Sequence, residues 1–218
     1  MLLLPCVYLG NIRYYTKLLQ GRYPVTIDVG EHYRKQSYRN RCDILGANGP
    51  LSLTVPVFKK SGEKLRVRDV RIDYAKEWQH QHWHSIVSAY RNSPYFDYYG
   101  EAFEPFYLRR YEFLSDFNQE IQSTVLDILG VHPKIKLSET YVAPEPGIRD
   151  CRDAFSPKPR LEAPDETFVP ASYYQVFSDR YGFVPDLSIL DLIFCEGPEA
   201  MKVILASTRF PEDTVSGR

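Results

Sequence analysis

Two short apolar runs near the start of the chain, Leu2–Leu9 and Val25–Val29, bracket an amphipathic stretch, and this arrangement limits the fold more than any other feature. Leu2–Leu9 is closed by Gly10 and Asn11 and reads as a buried strand. Asn11 is placed to cap a helix over Ile12–Gln20 that ends at Gly21, and Ile12, Tyr15, Leu18 and Leu19 recur along it at helical spacing. Val25–Val29 is a second strand-forming run, stopped by Gly30. Strand, helix and strand within about 30 residues make a βαβ unit with parallel strands. Ligands of open α/β sheets bind outside the carboxyl ends of the strands, which selects the loops Leu9–Asn11 and Gly30–Tyr33.

The middle of the chain has a different pattern. Cys42–Leu45 and Leu51–Val57 flank GANGP, a hairpin signal. Lys59–Lys64 reads as a charged turn and Leu65–Ile72 as a further strand. Glu77–Arg91, EWQHQHWHSIVSAYR, reads as a helix holding both tryptophans and three of the five histidines. Glu101–Leu129 follows as one long helix or two, with Pro105 near an N-terminus and Gly130 as the stop. Ile135–Val142 alternates like a strand. Six prolines between Ala143 and Pro170 predict a surface loop. Tyr173–Phe177 is a short helix or strand. Ser188–Cys195 is a helix opened by Asp186 or Ser188, Gly197-Pro198 breaks it, and Glu199–Leu205 is the last helix, with a frayed tail after Ser207.

The expectation is one α/β domain: a mixed sheet with an N-terminal parallel βαβ unit, antiparallel middle strands and packed helices. An α+β fold is the alternative if the first two strands are not neighbours. Within that domain, residues 1–142 form the core, 143–170 the proline-rich loop, and 171–208 a helical block that packs back.

The formal net charge of −1 argues against a nucleic-acid partner, whereas a local basic patch can still meet an anionic small molecule. The four cysteines include no CxxC pair and read as reduced thiols. MLLLPCVYLG has no basic start, Pro5 interrupts its apolar run, and no run approaches the roughly 20 apolar residues of a membrane span. A cytoplasmic protein is expected.

Two stretches carry candidate chemistry. HYRKQSYRNRC sets Arg34, Lys35, Arg39 and Arg41 among Ser37, Asn40 and tyrosines. Guanidinium forks suit phosphate or carboxylate. If the segment is extended, Lys35, Ser37, Arg39 and Arg41 share one side; the plainer alternative is a charged edge strand that discourages aggregation. In the Glu77–Arg91 helix, a histidine can serve as general acid or base near neutral pH. Glu77, His80 and His84 have a spacing compatible with a metal, but there is no HExxH and no metal site is assigned. The plainer alternative makes Trp78 and Trp83 core residues with hydrogen-bonded histidines beside them. Asp191, inside an apolar run, needs a partner, and Arg39 or Arg41 is a specific possibility. GxSxG, Walker A and GxGxxG motifs are absent, and nothing names a cofactor.

The stretches QSYRNRC with its hairpin, HWHSIVSAYRNSPYFDYY, FLSDFN and YYQVFSDRYGFVPDLSILDLIFCEGPE together resemble the WbqC-like protein family of bacteria, from about Leu4 to Met201. The matching positions are Arg39, Asn40, Arg41, Trp78, His82, Trp83, Ser93, Pro94, Asp191, Glu196 and Gly197. The resemblance implies a setting in biosynthesis of O-antigen or other surface polysaccharide, and a transferase that moves an amino acid or acyl group to a sugar. It supplies no catalytic residue. LPCVYLGNIRYYTKLL also resembles the strand–loop–helix start of nucleotidyltransferase-like enzymes, without their loop histidine, which bears on the fold alone.

Residues and resemblance together give a working assignment. His82 moves a proton. Lys35, Arg39, Asn40 and Arg41 hold a phosphate- or nucleotide-linked substrate, and Trp78, Trp83, Tyr90, Ser93 and Asp191 complete the site. The alternative is a non-catalytic protein that binds a glycan or partner within the assembly. Both require the arginine stretch and the histidine helix to open onto one cleft.

Overall fold

The computed structural model describes residues 1–21, 23–58, 64–157 and 165–209. The first strand, β1 (Leu2–Pro5), pairs in parallel with β2 (Val25–Asp28), Leu2 opposite Val25 and Pro5 opposite Asp28. Two shorter strands, β5 (Ile135–Leu137) and β6 (Arg149–Asp150), extend this sheet in parallel to the order β5-β2-β1-β6. Both central strands are buried along their whole length, as parallel strands covered on both faces must be, so their sequences are runs rather than alternations.

Between β1 and β2 runs α1 (Ile12–Leu18), whose Asn11 cap accepts from the Tyr14 amide at 3.1 Å. Every residue of α1 is buried, including Lys17, which satisfies its charge on Asp165 at 2.6 Å. An antiparallel ribbon, β3 (Arg41–Gly46) and β4 (Gly49–Thr54), forms a sheet of its own, joined by the Ala47-Asn48 turn. The helices are α2 (Trp78–Tyr90), α3 (Phe96–Phe103), α4 (Pro105–Leu108), α5 (Leu114–Ile128), α6 (Ser178–Tyr181), α7 (Ile189–Glu196) and α8 (Ala200–Ala206). This is the α/β class expected. Among the described residues, no helix is long and apolar enough to cross a membrane.

Several local expectations are corrected. Leu65–Ile72 is not a strand. Val67–Asp69 is a 3₁₀ turn, because Val67 and Val70 are both fully buried, and a 3₁₀ turn aligns positions i and i+3 whereas a strand would oppose them. Of the one long helix or two expected over Glu101–Leu129, the divided form is found: α4 begins at Pro105, as expected, and Arg109 turns extended (φ −98°, ψ 157°) before α5 starts. The strand expected over Ile135–Val142 stops at Leu137. Tyr173–Phe177 is neither helix nor strand; the Gln175 side chain ties it to Val184, donating to its carbonyl and accepting from its amide, each at 2.9 Å. Of the two openers expected for α7, Asp186 or Ser188, it is Ser188 that caps the helix.

The 143–170 segment is also more than a surface loop. Arg149 and Cys151 donate their amides to Met1 and Leu3, which makes β6, and Cys151, Arg152 and Phe155 are buried. The charged turn expected at Lys59–Lys64 lies outside the described residues save for Lys64, as do Pro159, Pro164 and the tail after Arg209.

After β2 the chain passes so close to the segment following β5 that a Cβ on Gly30 would lie 2.2 Å from the Thr140 carbonyl carbon. Backbone on both sides cannot yield cheaply. Gly30→Ala is therefore expected to destabilise the protein by roughly 1–3 kcal/mol or more in urea unfolding; an unchanged midpoint would show that the two segments are not in contact.

Candidate functional site

The carboxyl end of the parallel sheet carries a buried network of charge. Asp28, the last residue of β2, is fully buried. It accepts from the Gly30 amide at 2.9 Å, the Ser138 hydroxyl at 2.6 Å and Arg152 Nη1 at 2.5 Å. Arg152 also forks onto Asp150 at the end of β6, with Nη2 2.5 Å from Oδ2 and Nε 3.0 Å from Oδ1, and stacks over the Tyr141 ring at 4.7 Å. Three residues past β2, Glu31 receives the Arg39 fork, Nε at 2.8 Å and Nη2 at 2.6 Å, and Arg39 Nη2 reaches the Arg152 carbonyl at 3.3 Å. Burial pushes the Glu31 carboxyl up, against the pull of Arg39. Burial also acts to raise Asp150, but the Arg152 hydrogen bonds outweigh it and hold this carboxyl low.

Beside this network lies a cavity of about 290 Å³, lined by Arg34, Lys35, Gln36, Ser37 and Arg39 on one side and Asp153, Phe155 and Ser156 on the other. The basic segment is not extended. Gln36 has φ 57° and the Ser37 hydroxyl donates to the Arg34 carbonyl at 2.7 Å, so the chain turns back on itself. Of the side expected for Lys35, Ser37, Arg39 and Arg41, the first three still meet at the cavity, through a turn rather than an extended strand, and Arg41 does not. Arg41 sits on β3, bonded to Asp43 at 3.2 Å and Ser52 at 2.5 Å, and does not line this cavity. Asn40 is a brace: its amide group donates to the Val55 carbonyl at 2.8 Å. Of the cations, Arg34 pairs with exposed Asp153 and Arg39 with Glu31. Lys35 is exposed and has no ion-pair partner among the described residues.

The second candidate element, α2, turns Trp78, His82, Ile86, Ala89 and Tyr90 into the core. His82 Nδ1 lies 3.1 Å from the Tyr8 hydroxyl, which lies 2.8 Å from the Tyr107 hydroxyl. Trp78 packs edge-on against the imidazole at 5.0 Å. Burial drives the imidazole down to about 4, against a smaller opposing effect of a hydrogen bond to the Thr54 backbone. His82 is thus neutral at physiological pH. Trp83 is half-buried and stacks on Tyr107 at 5.6 Å. Ser93 closes the end of α2, its hydroxyl donating to the Tyr90 carbonyl at 2.7 Å.

Asp191 takes neither Arg39 nor Arg41 as its partner. Three neutral donors surround it: the Tyr90 hydroxyl at 2.9 Å, the Tyr173 hydroxyl at 2.6 Å and Gln175 Nε2 at 3.0 Å. Burial raises its carboxyl, against those three bonds.

Lys35 and Arg39 therefore share a cavity, Trp78, Trp83 and His82 share an aromatic network, and Tyr90 joins Asp191. No residue of α2 lines the Lys35 cavity. The one cleft expected of the arginine stretch and the histidine helix is therefore not formed among the described residues; Tyr8 links the two segments only from within the core, its amide donating to the Tyr38 carbonyl at 2.9 Å while its hydroxyl meets His82. A larger, apolar cavity of about 590 Å³, at the opposite edge of the sheet near Leu18, Val25 and Met201, holds none of the expected residues.

Residues 7–150 match the family model described as the WbqC-like protein family. The chain belongs to that family. A search of curated proteins finds a relative in Mycobacterium tuberculosis, uncharacterized protein Rv1507c, 26% identical over an alignment of 189 positions that covers 77% of this chain and 81% of the relative. No solved structure matches. In this WbqC-like chain the matched span takes in Asp28, Glu31, Arg39, Asp150, the Lys35 segment and His82, while Arg152, Asp191 and the partners Tyr173 and Gln175 lie beyond it.

Sequence reasoning missed Asp28, Glu31, Arg152, Tyr8 and Tyr107. For Asp28 and Tyr8 a signal existed: each carries a polar group near the carboxyl end of a largely apolar run.

Proposed function

We propose that this chain is a transferase of bacterial surface-polysaccharide assembly, one that moves an amino acid or acyl group to a sugar and holds a phosphate- or carboxylate-bearing substrate in the Lys35 cavity. The observation that carries this reading is a lysine without an ion-pair partner among the described residues, with Arg34 and Ser37, in a hollow at the carboxyl edge of a parallel sheet, where ligands of such sheets bind. Lys35 supplies a compact charge and rotatable donors to the anion, while Ser37, whose one O–H is taken by the Arg34 carbonyl, holds the turn that presents it. The Glu31–Arg39 fork and Arg152 hold the two walls of the cavity in place rather than spend their charge on ligand. His82, enclosed with Tyr8, Tyr107 and Trp78, does not line this cavity, so no proton transfer at the bound anion is assigned to it. A cytoplasmic site of action fits the four free cysteines.

The test is equilibrium titration with nucleotide-sugars and with acyl and aminoacyl donors. Lys35→Ala is expected to weaken a phosphorylated ligand about tenfold, the loss of about 1.4 kcal/mol from one charge-assisted contact. Arg34→Ala should cost less, because Asp153 already offsets its charge. If no phosphorylated or carboxylated compound binds, or Lys35→Ala binds it as tightly as the parent, the reading loses its basis.

One observation favours a second reading, a binding protein without chemistry of its own: His82 and Asp191 are enclosed and bonded to protein groups. In that case His82→Gln leaves ligand affinity intact and no turnover accompanies binding in the parent.

A further inference from the structure

The buried stripe of α2 fixes what its opposite side presents. With Trp78, His82 and Ile86 turned inward, His80 and His84 stand on the outer face, both exposed, one turn apart. Their ring centroids are 4.4 Å from each other. Neither imidazole has a hydrogen-bond or ion-pair partner among the described residues, whereas His82, two positions from each, is engaged by Tyr8 and by the Thr54 backbone. His84 also lines a cavity of about 420 Å³ between α2 and the β3–β4 turn, together with Ser85, Ser88 and Asn48.

We propose that His80 and His84 form a bidentate half-site for a first-row transition dication such as zinc or copper(II), with its remaining coordination positions open toward solvent and the cavity under the β3–β4 turn. Imidazoles at i and i+4 on a helix are the spacing by which one helix face grips such an ion. Neutral nitrogen donors select zinc, nickel and copper over magnesium and calcium, which prefer oxygen. The helix is rigid because its other face is core, so the chelate is formed without ordering a loop. Glu77 does not complete it: among the described residues no three His, Cys, Asp or Glu side chains are grouped to hold an ion. Water, a small molecule in the cavity or the same pair from a second copy must fill the other positions. The half-site lies apart from the Lys35 cavity, so it stands independently of the function proposed above.

The experiment is calorimetric titration of tag-free protein with zinc, copper(II) and magnesium chlorides, with chain mass in solution followed by light scattering. Saturable binding of zinc and tighter binding of copper(II), with none of magnesium, is expected. His80→Ala and His84→Ala should each reduce affinity by at least the roughly 10–100-fold that loss of a ligand's outer partner costs. Both sites are exposed, so folding should survive, and circular dichroism checks it. His132→Ala, at an exposed histidine elsewhere, should bind as the parent does. One ion per chain supports a site completed by solvent, and one ion per two chains with a doubled mass supports the same site completed by a second copy. No saturable binding, or binding unchanged in His84→Ala, overturns the proposal.

Discussion

Between pH 6.5 and pH 4 the protein is expected to lose about 3 kcal/mol of stability through His82 alone. The folded imidazole is pushed down to about 4, chiefly by burial, from an ordinary value of 6.5. The unfolded chain therefore takes up a proton at His82 before the folded one does. The contribution is fully present above pH 6.5, is lost as pH falls toward 4, and is absent below. Carboxyls act in the opposite sense over part of this window. Burial pushes Asp186 up to about 7, so its contribution is present below the ordinary carboxyl range and is lost as pH rises toward 7. A bare pH profile would mix the two. The difference between parent and His82→Gln removes the carboxyls, which titrate alike in both. Measured by urea unfolding, the stability of the parent relative to His82→Gln should fall by about 3 kcal/mol between pH 7 and pH 4. A difference independent of pH would mean that the imidazole is not enclosed against Tyr8 and Trp78.

Arg39→Ala is expected to destabilise the fold by about 3–5 kcal/mol, the cost of leaving a buried partner charge uncompensated. Arg39 and Glu31 are 3% and 4% exposed at their side chains, so neither can turn to water when the other is removed. Glu31→Ala should cost a similar amount. The double change to apolar residues of similar volume, Glu31→Leu with Arg39→Met, should recover most of the loss, because a fully satisfied buried pair is worth little more than good packing. Arg39→Lys is not conservative here: a point charge cannot make both bonds of the fork to Glu31. The same variants separate structure from binding. If Arg39 served the ligand instead, Arg39→Ala would lose affinity while keeping its unfolding midpoint. The expectation is the reverse, with Lys35→Ala showing the affinity loss at unchanged stability.

The legibility of the fold follows from the range of the forces involved. Asn11 could be recognised as the cap of α1, and the limits of α2 and α7 read to within a residue or so, because capping and burial period are local properties of the chain. β6 could not be found that way. Two residues carry no period, and what makes them a strand is the pair of amide bonds to Met1 and Leu3, more than a hundred positions earlier. Val67–Val70 shows the opposite failure: its composition favours a strand, but the core requires both valines on one side.

For the site, the sequence by itself determined the βαβ start, and with it the carboxyl edge of the sheet, as well as the cation-rich segment and the imidazole-rich helix. Only the tertiary structure decided which of those charges remain available. Arg34, Lys35, Arg39 and Arg41 look alike in the chain, yet Arg39 is committed to Glu31, Arg41 to Asp43 and Arg34 to Asp153, while Lys35 has no ion-pair partner among the described residues. The imidazoles divide in the same way, His82 to Tyr8 and the core, His80 and His84 to the surface. Hydrophobic period is written along a few neighbouring residues, whereas the partner of a charge is whatever group folding brings within about 3 Å of it, wherever that group stands in the chain.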